Sequence, residues 1–275
     1  MTFSIAAQVG DAFGVAVASK FPFVGAVVPQ ARLGVGAVAT QAMARVSYRD
    51  TALEALAGGA DAAGAVAACT GPDEGREHRQ LGVVGVDSQA TYTGSACMDW
   101  AGGVSGREAS GGFAIQGNIL TGRDVVAAME RAWRASAGGS LTDRLLAALL
   151  AGDEAGGDSR GRQGAALYAV KPGAGYDACG VLADLRVDDH PQAPQELARL
   201  LKINDLLFGV AEEVLPLTGD LADEVARRLA SVGHDKGGDV GAALEAWASE
   251  ANYEMRMSSD GIDTKVLAAL REESS

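Results

Sequence analysis

Position 2 is a threonine, and it opens an alternating segment, Thr2 to Val9 (TFSIAAQV). A small second residue lets methionine aminopeptidase remove Met1, which would leave Thr2 with a free α-amino group. Such an amine titrates near ~7.7–8.0 when unperturbed. It can take the proton from its own hydroxyl, directly or through one water, so the nucleophile needs no histidine. The other reading of the same residue is an unemployed terminus. Composition bears on the choice. There are three His (His78, His190, His234) and three Cys (Cys69, Cys97, Cys179), and HExxH and CxxC spacings do not occur. A histidine triad has little to draw on. A disulfide framework and a structural zinc site of the usual kind are excluded, and no metal or cofactor is expected.

Other residues can assist or compete. Cys97, in the run Gly94-Ser95-Ala96-Cys97-Met98-Asp99-Trp100, is the rival nucleophile. It needs a neighbouring base or cation to become a thiolate and has no His near it in sequence; otherwise it is an inert buried thiol. Trp100 lines a pocket or fills the core. Gln116-Gly117-Asn118 follows a predicted strand. Its amides and backbone N–H groups can orient a substrate or, around Asn118, stabilise an oxyanion; the plainer reading is turn geometry. Ser4 shares a strand face with Thr2, as a supporting hydroxyl or as an ordinary buried serine. Thr40 and Gln41 end a third strand, where they bind a substrate amide or pack the loop. The loop Gly156 to Gln163 (GGDSRGRQ) lacks the ending of a phosphate-binding P-loop. Arg160 and Arg162 in it can grip a substrate carboxylate by two-point hydrogen bonding, or stand solvated on a surface turn. Asp184, Arg186, Asp188, Asp189 and His190 include metal-ligand types, but their loose spacing fits ion pairing better.

Strands must hold these groups. After Thr2 to Val9, a hairpin at residues 10–14 leads to a second strand at Val15 to Phe21, which carries Ser19 and Lys20, and a third follows at Gly34 to Gln41. Helical patterns cover Tyr48–Gly58 and Asp61–Cys69. Strands resume at Leu81–Val86, Ala90–Thr93 and Gly111–Gln116, helices at Arg123–Ala137 and Leu141–Ala151, and strands at Ala165–Val170 and Cys179–Val187. This order argues for α+β. From Pro194 onward four helical segments follow, the first with an apolar stripe at Leu197, Leu200, Leu201, Ile203, Leu206 and Leu207, read as a packing face or a partner groove. With 275 residues, 48% hydrophobic, the chain can bury a full core. Its 23 basic and 36 acidic side chains give −13 without a basic stripe, so neither nucleic acid nor a membrane is an expected partner. No apolar run is long enough to span a bilayer. With no signal-peptide pattern at the start, the expected compartment is the cytoplasm. A homo-oligomer, a dimer above all, is expected without an interface signature.

MTFSI, GVAVASKFPFVGAVVPQARLGVGAVATQA, RQLGVVGVD, YTGSACMDWAG, QGNIL, GGDSRGRQ and LRVDDHPQAPQELARLL, in this order, resemble the family labelled domain of unknown function 1028. That family looks like a branch of the N-terminal nucleophile (Ntn) hydrolases. The resemblance implies an αββα four-layer sandwich over 1–189 and a small all-helical, peptidoglycan-binding-like module over 190–275. It also implies that a lysine or carboxylate on a neighbouring strand tunes the terminal amine. Lys20 is then a site candidate, since a buried ammonium there would lower the amine's pKa; the alternative is a solvated strand end. Gly103 and Gly164 stand where the family pattern carries His and Ser. The expectation is an amidohydrolase acting on a small peptide, amino-acid amide or related amide. Thr2, Lys20 and Asn118 would be catalytic. Thr40, Gln41, Gln116, Arg160, Arg162 and Trp100 would bind substrate, and Ser4, Ser19 and Cys97 would stand behind them. The alternatives are a non-catalytic binder of muropeptide or protein, and a Cys97 hydrolase.

Overall fold

The computed structural model describes residues 2–275; Met1, on whose removal the nucleophile reading depends, lies outside the described residues. Contacts divide the chain into two compact units, Met1–Leu201 and Lys202–Ser275.

The first unit starts with a hairpin of β1 (Thr2–Val9) and β2 (Ala12–Ser19). Its two-residue turn has Gly10 at φ 58°, a left-handed conformation that glycine adopts without steric cost. There follow α1 (Val24–Val27), β3 (Pro29–Arg32), β4 (Gly36–Ala42), α2 (Tyr48–Ala57), α3 (Ala62–Thr70), β5 (Arg79–Gly85) and β6 (Gln89–Thr93). Then come β7 (Gly102–Glu108), β8 (Gly111–Asn118), α4 (Asp124–Ala135), α5 (Leu141–Glu154), β9 (Gly164–Val170) and β10 (Val181–Val187). The strands form two antiparallel sheets, one ordered β10-β9-β2-β1-β8-β7 and the other β3-β4-β5-β6.

Alternation along the strands sorts the core into layers. Phe3, Ile5 and Ala7 of β1 point to one side and pack with Trp133 of α4 and Leu145 and Leu149 of α5. Ala6, Val15 and Val17 point to the other side and meet Ala37, Ala39 and Val84 of the second sheet. On that sheet's outer face, Val38, Leu81 and Val83 pack against Tyr48 and Leu53 of α2 and Ala65 of α3. The interface between the sheets is made largely of small residues because the strands approach closely there. A Cβ on Gly82 of β5 would overlap the Gln116 side chain of β8, which is why that strand position carries glycine.

The structure is α+β with antiparallel sheets and a C-terminal helical region. Two strands go beyond the sequence pattern. β3 is four residues long and begins with proline, while β7 (GGVSGRE) has a single large apolar residue and lies at a sheet edge. β3 is too short for its alternation to mark a strand, and β7 offers no apolar alternation.

The helix α6 (Ala193–Phe208) crosses the division between the units. Ala193, Leu197 and Leu201 are buried in the first unit's core, so this part of the apolar stripe is a packing face. The contact division therefore falls at 201/202, against the 189/190 boundary of the sequence reading. The second unit contains β11 (Val214–Leu215), α7 (Gly219–Ser231), α8 (Val240–Glu250), β12 (Ile262–Asp263) and α9 (Thr264–Glu273). Its core comprises Val225, Leu229, Leu244, Trp247, Val266 and Leu270. Arg256 is fully buried; its guanidinium donates to the Asp205 and Val210 carbonyls and pairs with the Asp205 carboxylate at 2.9 Å. Among the described residues, no helix is long and apolar enough to cross a membrane.

Candidate active site

Thr2 is the first residue of β1, a strand flanked on both sides within its sheet. It pairs with Asn118 of β8, and the neighbouring pair Phe3–Ala18 sets Ser19 of β2 beside it. Because Phe3 faces the α4/α5 layer, Thr2 and Ser4 face the second sheet. Thr2 is 6% exposed, and its Oγ1 lies 3.1 Å from the Ser19 hydroxyl. The Ser4 hydroxyl, wholly buried, donates to Gln41 Oε1 (2.6 Å) and accepts from Gln116 Nε2 (2.6 Å).

From the opposite sheet, Gln41 Nε2 reaches three acceptors: Gln80 Oε1 at 2.7 Å, the Thr2 carbonyl at 3.2 Å and the Gln116 carbonyl at 3.3 Å. Gln80 is the hub. Its Oε1 also accepts from Asn118 Nδ2 (3.0 Å), and its Nε2 donates to the Gly117 carbonyl (2.7 Å), Thr93 Oγ1 (2.9 Å) and the Gly102 carbonyl (3.2 Å). Thr2, Ser4, Gln41, Gln80, Gln116 and Asn118 thus form one buried, uncharged network between the sheets. Burying six polar side chains is tolerable because each finds a partner.

All of these positions lie at one end of the two sheets. Thr2 and Gly102 begin β1 and β7, Asn118, Ser19 and Thr93 end β8, β2 and β6, and Gln41 and Gln80 pair near the end of β4 and the start of β5. The start of β5 is fixed from behind. The Asp73 carboxylate accepts from Tyr48 Oη (2.6 Å), Arg79 Nε (3.0 Å) and the Gly75 N–H (3.0 Å), and pairs with Arg45 (2.9 Å). These bonds, the one from Tyr48 first, hold Asp73 well below the usual carboxylate range, while burial pushes the Tyr48 hydroxyl up.

At the same end is a cavity of about 460 Å³ lined by Thr91, Thr93, Gly94, Ser95, Cys97, Asp99, Ala101, Gly102 and Gly103. Its lining residues are bonded to the network behind them. Thr93 and Gly102 accept from Gln80, and Thr91 donates to Gln116 Oε1 at 3.4 Å.

The sequence candidates divide accordingly. Thr2, Ser4, Ser19, Gln41, Gln116 and Asn118 converge, and Gln116 and Asn118 do so from within β8 rather than from a turn after it. Thr40 does not join them. It pairs with Leu81 on the helix-facing side of its sheet, and its hydroxyl donates to the Arg45 carbonyl at 3.4 Å. Lys20 is exposed instead of buried; its ammonium donates to the Arg162 carbonyl (3.2 Å) and its backbone N–H to Asp158 Oδ2 (2.7 Å). Both loop arginines already have carboxylate partners: Arg162 Nε lies 2.6 Å from Asp153, and Arg160 lies 3.5 Å from Asp158. Trp100 packs against the sheet–helix core and does not line the cavity. Cys97 lines the cavity, but its thiol donates to the Arg79 carbonyl (3.3 Å) and burial raises its pKa, the opposite of what a nucleophile needs.

Gln80 and Asp158 went unread in the sequence. Gln80 had a signal, because ATQA, RQLG and IQGN each put a glutamine into an apolar strand, and a buried amide must find partners. Asp158, with its side chain 2% exposed, accepts from the backbone N–H groups of Lys20 and Arg160 and so ties the GGDSRGRQ loop to the end of β2. Among the described residues, no group of three or more His, Cys, Asp or Glu is placed to hold a metal ion.

Comparison with known proteins places this architecture. Among curated proteins, none matches. The crystal structure of protein SPO2555 from Silicibacter pomeroyi is similar at 30% sequence identity and a TM-score of 0.65, over 81% of this chain and 92% of that one. Residues 210–270 match a family model described as "Putative peptidoglycan binding domain". Residues 2–197 match the model described as "Family of unknown function (DUF1028)", and on a match of this extent the chain belongs to the DUF1028 family.

Proposed function

We propose that the protein is an amidohydrolase of the N-terminal nucleophile type, built on an αββα sandwich, and that removal of Met1 makes Thr2 the nucleophile. The observation that carries this reading is the placement of Thr2: the first residue of an inner strand, its hydroxyl between two packed sheets and 3.1 Å from the Ser19 hydroxyl. In the proposed reaction the Thr2 hydroxyl attacks an amide carbonyl while the Thr2 amine accepts its proton. The C–N bond breaks, the departing amine takes that proton, and an ester to Thr2 remains. Water, deprotonated by the same amine, then hydrolyses the ester and releases the acid. Gln41, through the Thr2 carbonyl, and Ser19, through the hydroxyl, position the nucleophile. Asn118, its neighbour across the strand pair, is the nearest side-chain amide on the paired strand to stabilise the oxyanion.

Two experiments test this. Intact-mass measurement should show Met1 removed, and full retention of Met1 rules out Thr2 as nucleophile. With an amide found active in a library screen, Thr2→Ala should lower kcat by on the order of 10³-fold or more, whereas full activity in that variant sinks the mechanism.

A second reading rests on the helical unit. Its match to a peptidoglycan-binding-like domain and a cavity of about 760 Å³, lined in part by Leu217, Leu244, Glu245, Met257 and Asp260, support binding of a cell-wall fragment. Titration of the full chain with a neutral muropeptide, followed by chemical shifts of Leu244 and Met257, tests it; unmoved signals dismiss it.

A further inference from the structure

The cavity beside the amide network has a charge character that the network lacks. Thr91, Thr93 and Ser95 present hydroxyls and Asp99 a carboxylate, and among the described residues no Lys, Arg or His lines it. A second carboxylate stands behind Ser95: Glu77 accepts from the Ser95 N–H (3.0 Å) and hydroxyl (2.7 Å), with Arg76 at 3.5 Å offsetting part of its charge. Those Ser95 bonds hold Glu77 below the usual range, so it stays ionised. The Arg79 guanidinium, beside Gln80 in sequence, is committed to Asp73 and the Met43 carbonyl.

Position adds a length. Thr2 pairs with Asn118, and Gly102 pairs with Gly117 on the next rung. The cavity wall at Gly102 therefore stands beside the Thr2 rung, on the far side of β8. Two strand spacings separate β1 from β7, on the order of 10 Å. The volume is that of a small-molecule site.

We propose that this cavity is the acyl-end subsite of the Thr2 centre, and that it takes a small amide whose cationic amino group pairs with Asp99. The ammonium would lie about six to eight bonds from the scissile carbonyl, matching that strand separation. The proposal rests on the reading of Thr2 as nucleophile, and it reverses the sequence expectation of a substrate carboxylate held by Arg160 or Arg162, whose guanidinium groups face Asp158 and Asp153.

The test uses the full chain carrying Thr2→Ala, so that no turnover intervenes. Binding of three primary amides of matched length is compared by ligand-observed NMR at low and high salt: 6-aminohexanamide (cationic), heptanamide (neutral) and adipamate (anionic). The expected result is that 6-aminohexanamide binds about two- to fivefold tighter than heptanamide, the range of an exposed charge pair. Adipamate should bind weakest, and the cationic preference should vanish in Asp99→Asn but persist in Asp177→Asn, an exposed carboxylate outside the cavity. Equal binding of the three, no binding, or preference for adipamate overturns the proposal. So does a preference that survives Asp99→Asn, which would mark general attraction to a chain of charge −13. These outcomes are independent of the Met1 and Thr2→Ala activity tests, so loss of the subsite and loss of the nucleophile are told apart.

Discussion

Replacing Gln80 with leucine keeps the side chain's bulk and removes all five of its hydrogen bonds. The cost can be worked through partner by partner. Gln41 Nε2 loses its 2.7 Å acceptor but retains the Thr2 and Gln116 carbonyls at 3.2 and 3.3 Å. Asn118 Nδ2, 2% exposed as a residue, loses the acceptor at 3.0 Å that Gln80 supplied. Thr93, Gly102 and Gly117 each lose a donor, and carbonyls tolerate that better than N–H groups do. One stranded buried donor at about 1–3 kcal/mol, plus the net loss of two or three ordinary bonds at about 1 kcal/mol each, gives a total of about 3–6 kcal/mol. That is a large share of a typical stability of about 5–15 kcal/mol, and for a unit of this size it corresponds to a Tm decrease of roughly 10 °C. Urea unfolding read by pulsed hydrogen exchange and mass spectrometry on β1 and β8 peptides separates this unit's transition from the helical one. Gln30→Leu serves as the control: among the described residues its side chain bonds to Asp50 alone, at the surface, so it should cost under about 0.5 kcal/mol. If Gln80→Leu is as mild as the control, the amide network does not hold the sheets together and its role in placing Thr2 falls with it.

Four other outcomes follow from the geometry. Arg144 is fully buried, bonded to Glu108 (2.7 Å), Ser110 (3.0 Å) and the Trp133 carbonyl (2.9 Å). Arg144→Leu should destabilise the first unit by about 3 kcal/mol, and a Tm within a degree of the parent would contradict this. Glu224 is held down to about 2 by Arg271 and Arg228. Its stabilisation is complete above the ordinary glutamate value of ~4.3 and lost as pH falls through about 2, so the acid limb of the second unit's Tm should flatten in Glu224→Gln. Cys97, with its thiol raised by burial, should alkylate with iodoacetamide more slowly at neutral pH than exposed Cys179; faster labelling would restore it as a nucleophile candidate. Lys20→Met should leave the pH profile of any Thr2-dependent activity in place, because the Lys20 ammonium is exposed on the Arg162 carbonyl; a displaced acid limb would return Lys20 to the site.

Much of the site is local and was legible. Period-two alternation puts Thr2 and Ser4 on one face and Phe3 and Ile5 on the other, and the structure keeps that division. What local pattern cannot supply is register between distant strands. Thr40 and Gln41 look alike as polar residues ending a strand, yet a shift of one position sends one to the α2/α3 face and the other into the network. Gln80 depends on partners 13 to 39 residues away in sequence, so its importance shows only when the sheets are stacked. Arg160 and Arg162 read as free cations because Asp158 and Asp153 are ordinary loop and helix carboxylates until the loop folds back on them. β7 escaped because an edge strand of glycines and polar residues carries no apolar period.

The absence of charge from the network fits the proposed chemistry. A carboxylate beside the Thr2 amine would raise its pKa and hold it protonated, and a buried ammonium would lower it and cost desolvation energy. Amide side chains fix position without either effect, since they donate and accept while remaining neutral. Three carboxylates near that end of the sheets are engaged with other partners: Asp158 with two backbone N–H groups, Asp153 with Arg162 and Gln195, and Asp73 with Tyr48, Arg45 and Arg79. An amine set among amides meets no full neighbouring charge, and burial favours its neutral form, the form able to act as base. The scarcity of histidine in the chain is then consistent with a base that the backbone itself supplies, and the three glutamines supply the positioning that charged neighbours would have given at the expense of that pKa.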